Sequence, residues 1–187
     1  MLILKKIFFT FLSILLAYNA IKLSGIFLKL SPLEFSNLAI IVSAAAFNLL
    51  ITGVIAFLGF VYPTSKLLPK SYYRLKNEAQ LNSLYKWLGV KGFRVFLLLT
   101  FYRKKENKKY FNGTKSGIIQ FDYNTRQSEF GHLMAFIFIL LHSCFLLFYG
   151  HWSLFIASQI INVIFNFYPI VLQRKHRISV QRILDRV

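Results

Sequence analysis

Four long apolar runs divide the sequence, at about residues 7–28, 36–60, 131–149 and 152–172. A hydrocarbon core about 30 Å thick needs about 20 helical residues to cross it, so each run predicts a membrane-spanning helix. The second run carries no charge, and its small residues (Ser43, Ala44, Ala45, Ala46, Gly53, Gly59) invite close approach of another helix. Only Gly150-His151 separates the third run from the fourth, which predicts a tight helical hairpin. The first run is the weakest, broken by Lys22 and preceded by Lys5 and Lys6. A cleaved signal peptide is the alternative there, but Tyr18 stands where cleavage after Ala20 wants a small residue, so a retained anchor is favoured.

Residues 61–130 fall between the spans. Tyr62-Pro63 and Leu68-Pro69 mark turns. Residues 78–102 mix apolar positions with Lys86, Lys91 and Arg94, predicting an interfacial amphipathic helix broken in two at Gly89 and Gly92, with Trp87 at head-group level. The charge run at 103–109 reads as a loop, and Asn112-Gly113 beyond it predicts a short hairpin. The expected architecture is thus an all-α integral membrane protein, one domain over 1–187, with four spans, a basic cytoplasmic segment and a basic tail at 173–187.

Composition agrees. A mean hydropathy of +0.54 and 56% apolar residues leave too little polar surface for a soluble domain of this size. The net charge of +17 lies between apolar runs and is accompanied by no groove-reading motif, which disfavours nucleic acid and points to anionic lipid head groups. Cys144 is the single cysteine, so no intrachain disulfide forms. Residues 61–130 carry 14 Lys and Arg and the tail carries 5, whereas the hairpin turn carries none. The positive-inside rule then puts both termini on the cytoplasmic side of the cell membrane.

Polar residues at membrane depth are costly and therefore candidates for function. Two groups stand out. Arg126, Glu129 and His132 open the third run at helical one-turn spacing, and Gln159, Asn162, Asn166, Tyr168, Gln173, Arg174, His176 and Arg177 follow through and beyond the fourth. In an antiparallel hairpin the two groups fall at one depth. Pro169 lacks an N–H, which frees the carbonyl of Phe165 beside them. A His next to a Glu suits general acid–base work, and arginines suit a phosphate or carboxylate. The plainer reading pairs Arg126 with Glu129 and uses the asparagines as helix glue. A lone Glu-x-x-His lacks the further ligands of a metal site. His142 is expected inside the bundle and His151 at the outer surface.

The order Arg126-x-x-Glu129-x-x-His132, then Asn166 with a proline in the last span, then Gln173-Arg174-x-x-Arg177, resembles the glycosyl-4,4'-diaponeurosporenoate acyltransferases. The resemblance covers about residues 87–187. It implies transfer of a fatty acyl group to a hydroxyl of a lipid-linked or glycosylated carotenoid-like acceptor, without cofactor or metal, an acyl thioester serving as co-substrate. By that resemblance His132 would deprotonate the hydroxyl and Glu129 would orient it. Arg174 and Arg177 would hold the donor's phosphates and Asn166 would polarise a carbonyl, with Gln173 in the same set. Arg126, Asn162 and Tyr168 join them as candidate substrate contacts from their place in the two groups. A non-catalytic membrane subunit or anionic-lipid adaptor is the alternative.

Overall fold

The computed structural model describes residues 2–100 and 114–185, and every regular element among them is helical. Besides two short 3-10 helices (Pro32–Glu34 and Thr64–Leu67), these are in order α1 (Leu2–Lys29), α2 (Asn37–Val61), α3 (Lys70–Tyr73), α4 (Glu78–Trp87), α5 (Val90–Thr100), α6 (Lys115–Leu147), α7 (Trp152–Asn162), a π-helical turn (Val163–Phe167) and α8 (Tyr168–Leu184). Four stretches are long and apolar enough to cross a membrane: Leu2–Lys29, Asn37–Val61, Ser116–Leu147 and Trp152–Leu184. Large apolar side chains such as Leu38, Ile41, Leu49, Phe138, Leu141 and Ile160 are exposed on them. Lipid tails accept that surface as readily as a protein core would, and this is a membrane protein of the all-α class. The expected Asn112-Gly113 hairpin and the 103–109 charge run lie outside the described residues.

The chain divides into two compact units. Unit 1 comprises 1–64 and 131–167, and unit 2 comprises 65–130 and 168–187. In unit 1, α1 and α2 are joined by a short turn whose Ser31 and Glu34 cap each other reciprocally. Ser36 then caps α2 by accepting from the Ala39 N–H at 3.2 Å. The two helices pack closely at Gly53, where a Cβ would lie 2.6 Å from Leu16 Cδ1. Ser13 adds a hydrogen bond to the Val54 carbonyl at 3.0 Å. The core joins Ala20 and Phe27 of α1, Phe47 of α2, Leu146 of α6 and Leu154 of α7. His142 stacks on Phe47 at 4.0 Å and pairs with the Ser24 hydroxyl at 2.7 Å, inside the bundle as expected.

The predicted hairpin is present. α6 ends at Leu147 and α7 begins at Trp152, with Gly150 at φ +77° making the turn. His151 departs from expectation: it is 3% exposed, its ring edge-on to Phe35 at 5.8 Å. Its place in the turn predicted exposure, but the α1–α2 connection supplies an aromatic cover that no local pattern shows.

Unit 2 contains α3, α4, α5, the first half of α6 and α8. The break between α4 and α5 falls at Gly89, at φ +64°, whereas Gly92 lies within α5. One left-handed residue suffices to turn the chain, so the second glycine was not needed as a breaker. Two expected boundaries move. α6 starts at Lys115 instead of 131, and the supposed tail is helical to Leu184 with Arg177, Ile178 and Val180 buried.

Candidate functional site

In unit 1 the candidate chemistry centres on His132. Its Nδ1 pairs with Asn166 Oδ1 at 3.1 Å, and the ring is also hydrogen-bonded to the backbone of Phe165. Phe165 is the residue whose carbonyl Pro169 leaves without its usual helical donor, and the π turn at Val163–Phe167 ends two residues before that proline. The neighbouring amides fix the proton on the ring. Asn162 Nδ2 donates to the Phe136 carbonyl at 3.1 Å, so Asn162 Oδ1 is the acceptor for Asn166 Nδ2 at 3.0 Å. Asn166 Oδ1 is thereby turned toward His132, and Nδ1 must be the donor. A neutral ring so held carries its lone pair on Nε2.

Thr52 of α2 completes this network. It exchanges hydrogen bonds with the Asn166 amide at 3.2 and 3.3 Å. Asn162 and Asn166 are both fully buried. The four-residue spacing read from the sequence therefore brings them into direct contact. Asn166, with its whole amide engaged, orients the histidine and is not placed to polarise a substrate carbonyl.

In unit 2 the candidates form a charged cluster. Glu129 and Arg177 are both 0% exposed. Arg174 Nε donates to Glu129 Oε1 at 2.8 Å. Arg177 Nη1 lies 2.5 Å from Glu129 Oε2, an ion pair off the direction of a good hydrogen bond. Arg126 pairs with Asp122 at 2.5 Å, one turn back on α6, and Arg177 Nε lies 3.9 Å from the same carboxylate. The simple Arg126–Glu129 pair is therefore replaced: both oxygens of Glu129 face arginines of α8. Nor does Glu129 orient the histidine, whose Nδ1 is held by Asn166.

Two tyrosines of α3 floor the cluster. Arg174 stacks over Tyr72 at 4.8 Å, and Tyr73 lies beneath both Arg177 (5.1 Å) and Arg126 (5.6 Å). Burial, reinforced by the Glu129 carboxylate and Tyr72 against the pull of Arg177 and Arg126, pushes the Tyr73 hydroxyl up to about 12. It stays protonated and donates to the Ser65 carbonyl at 3.0 Å. Burial also raises Tyr72 and Tyr85. Three guanidinium groups meet two carboxylates here, leaving one positive charge in excess. Gln173 donates to Ser128 at 3.2 Å, and Tyr168 packs its ring on Phe93 at 4.9 Å. Neither touches the guanidinium groups through these contacts.

Sequence reasoning missed Thr52, Tyr72, Tyr73, Tyr85 and Asp122. For Asp122 the signal was present, since it stands four residues before Arg126. Tyr72 and Tyr73 follow Pro69 in a short helix with no periodicity and Tyr85 lies on α4, so only tertiary packing brings them to the cluster.

Residues 69–186 match the protein family described as glycosyl-4,4'-diaponeurosporenoate acyltransferase, well over half of the chain. The chain belongs to this acyltransferase family. The family match begins before α3, earlier than the resemblance at Trp87, and so takes in Tyr72 and Tyr73 as well as every candidate from Arg126 to Arg177. Thr52 lies outside it. No curated protein and no solved structure matches the chain.

Proposed function

We propose that this chain is an acyltransferase of the cell membrane. It moves a fatty acyl group from an acyl thioester onto a hydroxyl of a lipid-linked or glycosylated, carotenoid-like acceptor. The observation that supports the reading is the His132–Asn166–Asn162 network, which orients the ring with Nδ1 toward Asn166, and on this reading Nε2 is the base. His132 Nε2 takes the proton of the acceptor hydroxyl as its oxygen forms a bond to the acyl carbon. The tetrahedral intermediate then collapses with cleavage of the carbon–sulfur bond, and the imidazolium returns the proton to the departing thiolate. The products are an ester and a free thiol.

The arginine cluster supports a role in holding phosphates of the donor. Arg174 and Arg126, 27% and 31% exposed at the side chain, can meet an anion. Arg177 is enclosed and serves with Glu129 to hold Arg174 in place. The Lys and Arg distribution supports cytoplasmic termini and contact of the basic segment with anionic head groups.

Mass spectrometry of lipid and pigment extracts tests the reading, using cells that express wild type, His132→Gln or Asn166→Leu at matched levels of folded membrane protein. A product heavier by one fatty acyl group is expected with wild type and is lost with His132→Gln. Equal product with His132→Gln removes the histidine from the chemistry. No acylated product in the native host leaves a non-catalytic membrane subunit in front.

A further inference from the structure

Lys22 lies within a helix long and apolar enough to span the membrane, about 10 Å from the α1 end at Lys29 by the helical rise. It is exposed, and no carboxylate pairs with it among the described residues. Its ammonium sits over the Tyr18 ring at 4.8 Å. An ionisable group at such depth calls for a partner.

Lys22 and Asn19 stand on the wall of a groove of about 610 Å³ between α1 and α2 in unit 1, a size suited to a small organic ligand. The rest of the lining is apolar, with Leu16 and Leu23 facing Ala46 and Leu50. Asn19 Nδ2 donates to the Leu15 carbonyl at 2.8 Å, which leaves its Oδ1 as an acceptor. The groove thus offers a cation, a neighbouring acceptor one turn away and a trough of apolar side chains.

We propose that this groove holds one acidic glycerophospholipid. Its phosphate meets Lys22 Nζ, a head-group hydroxyl donates to Asn19 Oδ1, and one acyl chain lies along Leu16, Leu23, Ala46 and Leu50. A second copy of the chain complements the groove poorly. The six acidic residues stand at 34, 78, 106, 122, 129 and 185, none of them within α1 or α2, and Asp122 and Glu129 are already paired with arginine. The groove also lies outside residues 69–186, the segment that the acyltransferase family matches.

The test uses the full chain in nanodiscs of mixed phosphatidylglycerol and phosphatidylcholine, released gently and weighed by native mass spectrometry. Wild type is expected to retain one phosphatidylglycerol. Lys22→Gln is expected to lower that occupancy about fivefold, the size of one lysine–anionic-lipid contact. Lys22→Arg keeps the lipid, Lys29→Gln leaves occupancy unchanged, and Ala46→Phe expels the lipid with the charge intact. Folding of each variant is checked by its melting temperature. Equal retention of phosphatidylcholine, unchanged occupancy in Lys22→Gln, or a dimer mass in place of the lipid overturns the proposal.

Discussion

Unit 1 buries amides and hydroxyls (Asn48, Ser143, Ser158, Asn162 and Asn166) together with His151, whereas unit 2 buries Asp122, Glu129 and Arg177. The difference lies in what each arrangement demands. Neutral groups inside a membrane bundle need one good partner each, and most have it: Asn48 donates to the Ser158 hydroxyl at 2.9 Å, and Gln159 donates to Ser143. Such links stabilise by about 0.6–1.7 kcal/mol apiece. They orient His132 through Asn166 and the Phe165 backbone. Buried charges must be matched with opposite charge, and removing one partner strands the other at a cost of about 3–5 kcal/mol. The proposed chemistry rests on the neutral network, while in the charged cluster both carboxylate oxygens of Glu129 meet arginines of α8.

The sharpest way to break that comparison is His132→Gln. On the neutral side a change of one ring should lower acyl transfer by about 10²–10⁴-fold, the usual weight of a general base, with little change in thermal stability. A variant that loses stability instead, with activity per folded molecule preserved, would make His132 structural. Next in size is Glu129→Leu, which leaves fully buried Arg177 and stacked Arg174 facing no carboxylate at that position. Unfolding in detergent micelles, followed by circular dichroism, should show a loss of about 3–5 kcal/mol. Adding Arg177→Met should return much of it. If the single variant is as stable as wild type, the cluster is not a clamp, and Glu129 is free for another role.

Much of the bundle was readable because a membrane restricts the choices: an apolar run must be a helix, and a two-residue gap must be a hairpin. Two finer features were also readable. Asn162 and Asn166 meet because they are four apart, and Pro169 marks the Phe165 backbone that holds His132. What hydropathy hid was the start of α6. Ile118, Asp122, Thr125 and Glu129 form a buried helical stripe, but three of the four are polar and register as loop until α8 supplies arginines. The choice of partner for Arg126 was hidden for the same reason. Asp122 and Glu129 are both helical neighbours of it, and only Arg174 and Arg177 from α8 decide the allocation.

A smaller effect sharpens the neutral side. Asn48→Leu removes the hydrogen bonds to the Ala44 carbonyl and to Ser158, in a side chain whose own Oδ1 is buried without a partner. The gain from deleting that orphan acceptor offsets part of the lost link, so the net cost should be about 1 kcal/mol or less. Melting of the purified protein is the measurement, and a loss near that of Glu129→Leu would erase the distinction between the two units.

The smallest expected change is Arg126→Gln. Its pair with Asp122 is close at 2.5 Å, but the arginine side chain is 31% exposed and the carboxylate 11%. Solvent screens such a pair, and typical contributions are about 0–1 kcal/mol. Asp122 is not stranded by the change, because Arg177 Nε stands 3.9 Å away on its other oxygen. Stability should therefore fall by less than about 1 kcal/mol. Acyl transfer should show a raised KM for the donor with kcat little altered, since an arginine that meets the donor's phosphates contributes binding and not proton transfer. If kcat collapses while KM holds, Arg126 acts on the reacting atoms, and the proposed division between a neutral catalytic network and a charged binding cluster fails at its weakest link.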